Sequence, residues 1–371
     1  MFSTKKTIKY LKFLYKNSIL GTHKECIDAY SKFKKYKSAL ANFNNKANIM
    51  IDKIFVDPEN KTKFKVLENK LISKSGITYL VENDIPNLIF PKKLNEIDQS
   101  AQFFYEGRAD QYDSTLHFTF LTHNENEEEV RNSFIDKLDL NINSKVLEIA
   151  CGTGRDSTLI AKRLKGEKAE LHLTDISKDM LIKCREKLKN FETKTSLCSS
   201  NAGYLPYPDN YFDATYSFGA MGEFSDKKRA IREMVRVTKI GGKIVFGDES
   251  VPEWIRKTEF YYILKKTNPM FSEKIPLEDM PVEARKTKLE WVIGGTFYLI
   301  SFEVGKGEPK ANFDFDIPGL RGGTYRTRYE GEIEGVNPDI KKQIYKHAKS
   351  QNISVHDWLN QTLTSALKAK K

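Results

Sequence analysis

The chain has 371 residues, enough for more than one domain, and its 39% hydrophobic and 12% aromatic content excludes a disordered protein. Its net charge of +11 is concentrated in residues 1–75, which hold 17 lysines, no arginine and 6 acidic residues. A protein that binds nucleic acid in a catalytic cleft would place basic residues around that cleft, so this distribution argues against a nucleic-acid partner.

The sequence also indicates a location. No apolar run is long enough for a transmembrane segment. Lysines interrupt the first twenty residues, which therefore lack the apolar centre of a signal peptide. The four cysteines form neither a C-x-x-C pair nor a disulfide framework. We expect a cytoplasmic protein.

Residues 1–60 are predicted to form a basic helical arm, because Ile8, Leu11 and Leu14 recur at helical spacing. An anionic membrane surface or an RNA backbone could contact such an arm, but a solvated packing arm is the simpler interpretation. Residues 61–97 are predicted to form a small β module. The stretch ITYLVENDIPNLIFP resembles a zinc-binding module that accompanies some methyltransferases, but it contains no cysteine. We therefore expect a metal-free remnant that packs against the next domain.

Residues 146–175, which read VLEIACGTGRDSTLIAKRLKGEKAELHLTD, are the most informative stretch of the chain. They predict a buried strand, a glycine turn, a helix and a second strand that ends on Asp175. Glycines allow a ligand close to the backbone, and the helix start offers free N–H groups. Ser157 occupies the third glycine position of a dinucleotide fingerprint, which is therefore incomplete, whereas the acidic Glu148 suits a cationic ligand.

This stretch resembles the first motif of class I methyltransferases that use S-adenosylmethionine (SAM), with Ala150 in place of the first glycine. Residues 102–116 resemble the helix that precedes this motif in the ubiquinone/menaquinone-biosynthesis branch, and LPYPDNYFDATYS resembles a later motif of that branch. Together the resemblance covers about Gln102 to Val304. It implies a Rossmann-like α/β fold with a seven-stranded sheet, SAM as cofactor, and a methyltransferase domain at residues 98–310.

The resemblance also implies which residues bind the cofactor. Tyr105 or Tyr112 could place an aromatic ring over the sulfonium, although simple helix packing explains both nearly as well. Asp175 would accept hydrogen bonds from the ribose hydroxyls, and Asn201 would face the adenine. The complete expected set is Tyr105, Tyr112, Glu148, Ala150, Gly152, Gly154, Asp175, Ile176, Met180, Asn201, Ala202 and Ser217.

Three acidic residues are candidates for catalysis. Glu223 follows the fourth strand, and Asp248 and Glu249 end the fifth, so all three are expected at the active edge of the sheet. Any of the three could be the base, and Asp248 and Glu249 could also hold a substrate amine. Asp248 and Glu249 could equally cap the helix that follows. No metal ligands are expected.

Residues 311–371 are predicted to form a small α/β extension of one strand and two helices. The helices have start signals at Asn337-Pro338 and at Ser354 with Asp357. The pattern weakly resembles a ribbon-helix-helix module, and it suggests a homodimer through this segment. Arg326 and Arg328 would alternate on the strand, whereas Arg321 beside two glycines is the candidate for binding a carboxylate or phosphate of the acceptor.

The leading interpretation is a SAM-dependent methyltransferase that acts on a small molecule. Two alternatives are an RNA methyltransferase, suggested by the lysine-rich start, and a non-catalytic SAM-binding regulator that contacts DNA through the C-terminal helices. The sequence does not identify the acceptor, nor whether O, N, S or C is methylated.

Overall fold

The computed structural model describes residues 53–331 and 336–369. They fall into two compact units that divide between Val304 and Gly305, a few residues before the predicted boundary. The predicted basic arm lies almost entirely outside the described residues.

The first unit begins with a small antiparallel sheet in the order β1-β2-β3-β4. Its strands are β1 (Lys65–Leu67), β2 (Lys70–Ile72), β3 (Thr78–Glu82) and β4 (Ile85–Pro86). Four helices follow: α1 (Glu96–Tyr105), α2 (Ala109–Thr115), α3 (His117–Thr122) and α4 (Glu127–Asp136).

The centre of this unit is a seven-stranded sheet, as predicted. Its elements are, in chain order, β5 (Lys145–Ile149), α5 (Arg155–Ala161), β6 (Glu170–Asp175), α6 (Lys178–Leu188), β7 (Lys194–Ser199), β8 (Phe212–Phe218), α7 (Lys227–Val237), β9 (Thr238–Glu249), α8 (Glu259–Thr267), β10 (Ala284–Val292) and β11 (Phe297–Val304). The strand order is β10-β11-β9-β8-β5-β6-β7. Strands β9, β8, β5, β6 and β7 are parallel, and β11 is antiparallel to both of its neighbours.

The burial of β5 explains its continuous apolar run. Val146, Leu147 and Ile149 are at most 2% exposed, because helices or the small module cover both faces of the parallel sheet. After β5 the chain adds β6 and β7 on one side and then returns to place β8 on the other. Such a reversal opens a crevice at the carboxyl ends of the strands, and ligands bind there in open α/β sheets.

The small β module packs against the main sheet, as the sequence suggested. The rings of Phe55 and Tyr207 lie 5.5 Å apart, and the Leu88 amide donates to the Ser199 carbonyl at 2.8 Å. This contact covers the β7 edge, which would otherwise expose unpaired backbone groups. No cluster of potential metal ligands occurs among the described residues, and the absence of zinc remains a prediction.

The helix predicted before the glycine motif is divided into α1 and α2. Gly107, with a φ of 74°, lies at the break, and its amide donates to the Asp179 carboxylate at the start of α6. Residues of both α1 and α2 line the crevice.

The second unit contains three helices among its described residues, α9 (Tyr325–Glu330), α10 (Pro338–Ser350) and α11 (Val355–Ala369). The predicted strand at Arg326 and Arg328 was wrong, because Thr324 and Thr327 form a capping box that starts α9. Arg326 pairs with Asp314, and Arg328 donates to the Gly322 carbonyl. The start signals of α10 and α11 were correct: Asn337 and Ser354 accept from the amides of Asp339 and Asp357.

None of the helices in the described part of the chain combines the length and the apolar character that crossing a membrane requires.

Gly154 is where the glycine loop passes closest to α6. A Cβ on Gly154 would lie 2.6 Å from Cys184 Sγ and 3.2 Å from its Cα, and φ is +84°. We expect Gly154→Ala to lower the free energy of unfolding by about 3 kcal/mol, from left-handed strain plus overpacking. Gly219→Ala is the control, since φ is also positive there (+76°) but nothing lies within 4 Å. It should cost only about 1 kcal/mol in urea unfolding. Equal losses would contradict a steric role for Gly154.

Candidate active site

A cavity of about 560 Å³ occupies the crevice at the carboxyl ends of β5, β6, β8 and β9. Helices α1, α2 and α3 and the residues after α8 form its remaining walls. Its volume lies in the range usual for sites that bind small molecules and cofactors.

Most of the predicted site residues line this one cavity. They are Tyr105, Tyr112, Glu148, Ala150, Gly152, Asp175, Ile176, Met180, Asn201, Ala202, Glu223, Asp248 and Glu249. Gly154 and Ser217 do not line it. Gly154 packs against Cys184, and Ser217 is 1% exposed within β8, where its neighbours Phe218 and Gly219 face the cavity instead.

Glu148 is buried at the end of β5 and accepts a hydrogen bond from Ser157 Oγ at 2.6 Å. Ser157, which made the dinucleotide fingerprint incomplete, is thus a specific partner of the acid. Burial and the nearby Asp156 carboxylate raise the pKa of Glu148 well above its usual range. A cationic ligand group would lower the cost of ionising it.

Asp175 connects β6 to the glycine loop. Its carboxylate accepts from the amide of Gly152 at 2.8 Å and from that of Ser177 at 2.8 Å. Burial raises the pKa of Asp175 to about 6, although these backbone hydrogen bonds oppose the shift. Each carboxylate oxygen can accept more than one hydrogen bond, so Asp175 can still bind ligand hydroxyls while it shapes the loop.

Ala150 adopts a left-handed conformation, with φ of +53°. The glycine that the resemblance implies at this position would adopt it without strain, whereas alanine pays about 1 kcal/mol. The substitution therefore keeps the shape of the loop, as the small size of alanine suggested.

A buried ion pair supports the cavity floor, and sequence reasoning missed it. Arg131 of α4 contacts both carboxylate oxygens of Asp156 at 2.9 Å, and the Tyr216 hydroxyl donates to Asp156 at 2.9 Å. Arg131 also pairs with Glu127, which in turn pairs with Arg155. No local motif marks Arg131, because its partner lies 25 residues away on another helix.

Asn201 is held by its neighbours. Its amide nitrogen donates to Asp98 at 2.9 Å, and its oxygen accepts from the Gly203 amide at 2.9 Å. Asp98 is buried and also accepts from Ser225 and Asn95, so it ties α1 to the loops after β7 and β8. Asn201 thus lines the cavity, but its side-chain nitrogen and oxygen each already have a protein partner. Asp98 also lines the cavity, and the sequence analysis missed it.

The two predicted aromatic residues form one wall. The rings of Tyr105 and Tyr112 lie 5.9 Å apart and nearly perpendicular. Burial raises the pKa of both hydroxyls, so they stay protonated at neutral pH. Asp113 fixes α2 to the glycine loop by accepting from Thr153 Oγ1 at 2.6 Å and pairing with Lys187 at 2.7 Å.

The three candidate catalytic acids lie close together, near the ends of β8 and β9. The Tyr105 hydroxyl donates to Glu223 at 3.0 Å, while Asp248 accepts from the Gly222 amide and, at 2.8 Å, from that of Glu249. Asp248 therefore orders the turn that carries Glu223, and the predicted capping of a following helix was wrong. Burial and the Asp248 charge raise the pKa of Glu223 to about 7 and that of Glu249 well above its usual range.

Thr174 and Ser200 line the cavity beside Asp175. Their hydroxyl oxygens are buried and have no hydrogen-bond partner in the described part of the chain. Buried polar groups without a partner are costly.

Arg321, the candidate for binding the acceptor, belongs to the second unit and has an exposed side chain. Its backbone carbonyl accepts from the His356 amide at the start of α11. Its role in binding the acceptor stays a prediction.

Comparison with known proteins addresses the identity of the central region. Residues 146–242 match a family described as methyltransferase domain. This central region is therefore similar to methyltransferase domains. The ubiquinone/menaquinone biosynthesis C-methyltransferases UbiE of Yersinia enterocolitica and Yersinia pestis are each 44% identical over 111 residues, or 29% of this chain and 43% of theirs. The chain thus aligns with less than half the length of these relatives.

Solved structures with a similar arrangement include a SAM-dependent methyltransferase from Aquifex aeolicus, with 18% identity, a TM-score of 0.36, and 47% of this chain and 89% of that chain covered. The phosphoethanolamine N-methyltransferase 2 of Haemonchus contortus in complex with SAM has 13% identity and a TM-score of 0.45, with 60% and 62% covered.

The buried ion pair makes a stability prediction. Arg131→Met leaves Asp156 without its cation beside Glu148, and we expect it to lower the free energy of unfolding by about 3–5 kcal/mol. The matched control is Arg163→Met, whose guanidinium pairs with the largely exposed Asp136. It should cost less than about 1 kcal/mol in the same urea titration. Similar losses in both variants would show that the burial of the pair is unimportant.

Proposed function

We propose that this protein transfers a methyl group from SAM to a small-molecule acceptor. One observation carries the proposal: ten of the twelve cofactor residues predicted from sequence and the three candidate catalytic acids line a single cavity. A methyl donor and its acceptor would therefore share this cavity.

Each side chain assigned to the cofactor has a matching chemical task. The carboxylate of Glu148 suits the amino group of the methionine part of SAM, and Asp175 suits its ribose hydroxyls. Asn201 and Ala202 line the same cavity and suit the adenine edge, and Ile176 and Met180 supply apolar walls. The rings of Tyr105 and Tyr112 suit a sulfonium, because aromatic faces attract cations.

The chemistry asks mainly for alignment, because the sulfonium methyl of SAM is already activated. This chain adds acids that can exchange a proton with the acceptor. With a pKa near 7, Glu223 is suited to accept one at neutral pH, and the Tyr105 hydroxyl holds its carboxylate in place.

The charge of the cavity does not favour the RNA alternative. Its lining includes seven carboxylates and two arginines in the described part of the chain, and both arginines pair with acids. A phosphate backbone would meet net negative charge there. The regulator alternative leaves the three candidate catalytic acids without a task. The predicted homodimer through the C-terminal segment remains a prediction.

The cofactor assignment predicts that Asp175→Asn weakens SAM binding by about 1–3 kcal/mol, because charge-assisted hydrogen bonds to the ribose become neutral ones. Asparagine keeps the volume of the side chain but only one of the two oxygens that accept from the Gly152 and Ser177 amides, so the loss of one of these hydrogen bonds adds to the effect. Glu192→Gln, an exposed acid, is the control and should leave the affinity unchanged in calorimetric titration. An unchanged SAM affinity in Asp175→Asn would contradict the assignment of Asp175 to the ribose.

SAM affinity should also depend on pH. The pKa of Asp175 is raised to about 6, so the group is ionised at pH 7 and mostly protonated at pH 5. Protonation removes the anionic acceptor, and we expect the affinity to fall about tenfold between these pH values. The Glu223 carboxyl, with a pKa of about 7, adds to the fall. Titrations of Asp175→Asn should show a flatter dependence, and an identical profile would place the titrating group elsewhere.

A further inference from the structure

Some carboxylates of the cavity are neutralised by protein groups or are assigned to the cofactor, and others are not. Asp156 is neutralised by Arg131, and Asp98 accepts from Asn95, Asn201 and Ser225. Glu148 and Asp175 are assigned to the cofactor. Three acids remain near the ends of β8 and β9, Glu223, Asp248 and Glu249, which we call the acid triad; Asp248 also orders the turn that carries Glu223.

The acid triad is rigidly placed. Asp248, 2% exposed, is fixed by two backbone amides, and one of these precedes Glu223 in the chain. Asn268 approaches Glu249 at 3.4 Å, a weak contact, and Tyr105 binds one oxygen of Glu223. Capacity to accept hydrogen bonds therefore remains on Glu223 and Glu249.

No cation of the cavity is free to neutralise the acid triad. The two positively charged lining residues in the described part of the chain are Arg131 and Arg155. Arg131 pairs with Asp156 and Glu127, and Arg155 pairs with Asp113 and Glu127. An acceptor that brings a carboxylate or a phosphate beside the acid triad would meet repulsion without compensation.

A bound sulfonium does not supply hydrogen-bond donors to the acid triad either. It carries positive charge but no N–H, so it leaves the hydrogen-bonding capacity of these carboxylates unused. An ammonium provides both a charge and three donors, and charge-assisted hydrogen bonds of this kind are the strong ones. Burial and mutual repulsion already raise the pKa values of Glu223 and Glu249, which a positive partner would reverse.

The walls beside the acid triad indicate what carries the nitrogen. Phe218 and Phe297 stack at 5.7 Å, and Ile293 and Met270 also line the cavity. These side chains favour an apolar or aromatic group of modest size.

From these contacts, and resting on the proposed methyltransferase function, we propose that the acceptor is a small primary amine on an apolar group and that the acid triad binds its nitrogen. Glu249 accepts hydrogen bonds from the ammonium, the neighbouring Asp248 carboxylate adds electrostatic attraction, and Glu223 takes one of the ammonium protons. The freed lone pair on nitrogen then attacks the methyl carbon of SAM. The C–N bond forms as the C–S bond breaks, and its electron pair stays on sulfur, which gives a methylammonium and neutral S-adenosylhomocysteine.

This inference differs from what the relatives' names describe, which is C-methylation. The family match covers residues 146–242 and thus ends before Asp248 and Glu249. The part of the cavity that selects the acceptor is therefore partly outside the matched region.

The test uses the full chain saturated with S-adenosylhomocysteine and three matched probe pairs: 2-phenylethylamine and 2-phenylethanol, benzylamine and benzyl alcohol, butylamine and butanol. Calorimetric titration near neutral pH should show at least one amine binding about tenfold more tightly than its alcohol. Glu249→Gln should lower the ratio of amine affinity to alcohol affinity about tenfold, while the affinity for S-adenosylhomocysteine changes by less than about twofold. Glu259→Gln, an exposed acid of α8, is the control and should keep the preference.

Glu223 has a separate readout. With the amine that binds best, SAM and mass spectrometry of the product, Glu223→Gln should lower the methylation rate at least about tenfold near neutral pH. The deficit should shrink as the pH approaches the pKa of the amine, because solvent then supplies the neutral form. A deficit that is constant with pH would contradict proton transfer to Glu223.

Different results would overturn the proposed function and the amine inference. If S-adenosylhomocysteine does not bind, the proposed methyltransferase function itself is wrong. If it binds and no amine exceeds its alcohol, or the preference persists in Glu249→Gln, the amine inference is overturned while the proposed function stands.

Discussion

The hydrogen bonds that the Asp175 carboxylate accepts from the backbone amides of Gly152 and Ser177 are the constraint on which the site depends. They join the ends of β5 and β6, and they fix Gly152 and Ser177 at 2.8 Å from one carboxylate. Because the loop is fixed there, Ala150 keeps a left-handed conformation and Glu148 remains directed into the cavity. A shift of this carboxylate would move the loop, the start of α5 and the ligand contacts together.

A second layer of buried polar contacts stabilises this arrangement from below and beside it. Arg131 neutralises Asp156 under the cavity, and Ser157 holds Glu148. Asp98 joins α1 to the loops that carry Asn201 and Ser225. Each of these groups would be costly if left alone, since a buried charge needs a partner. In the proposed assignment, the acids for the cofactor have protein partners, whereas Glu223 and Glu249 keep capacity to accept further hydrogen bonds.

The sequence predicted the parts of this structure that depend on local pattern. The apolar runs, the glycine turn and the terminal Asp175 placed the seven-stranded sheet and most of the cavity lining. It could not predict Arg131 or Asp98, because their partners are far along the chain and no motif marks them. Ser217 was misplaced because the side chains of β8 alternate between the two faces of the strand, and the cavity side falls to Phe218.

In the C-terminal segment, a local sequence pattern led to a wrong prediction. The alternation of Arg326 and Arg328 resembled a strand, but the Thr324–Thr327 capping box and the Arg326–Asp314 pair form a short helix. These local hydrogen bonds favour the helix, and an alternation of two residues is too short to predict a strand.

The most direct test of the central claim is a crystal structure of the full chain with S-adenosylhomocysteine. The account predicts its ribose hydroxyls on Asp175, its amino group towards Glu148 and its sulfur facing Glu223 across the cavity. A ligand bound outside this cavity, or bound within it with no contact to Asp175, would contradict the account.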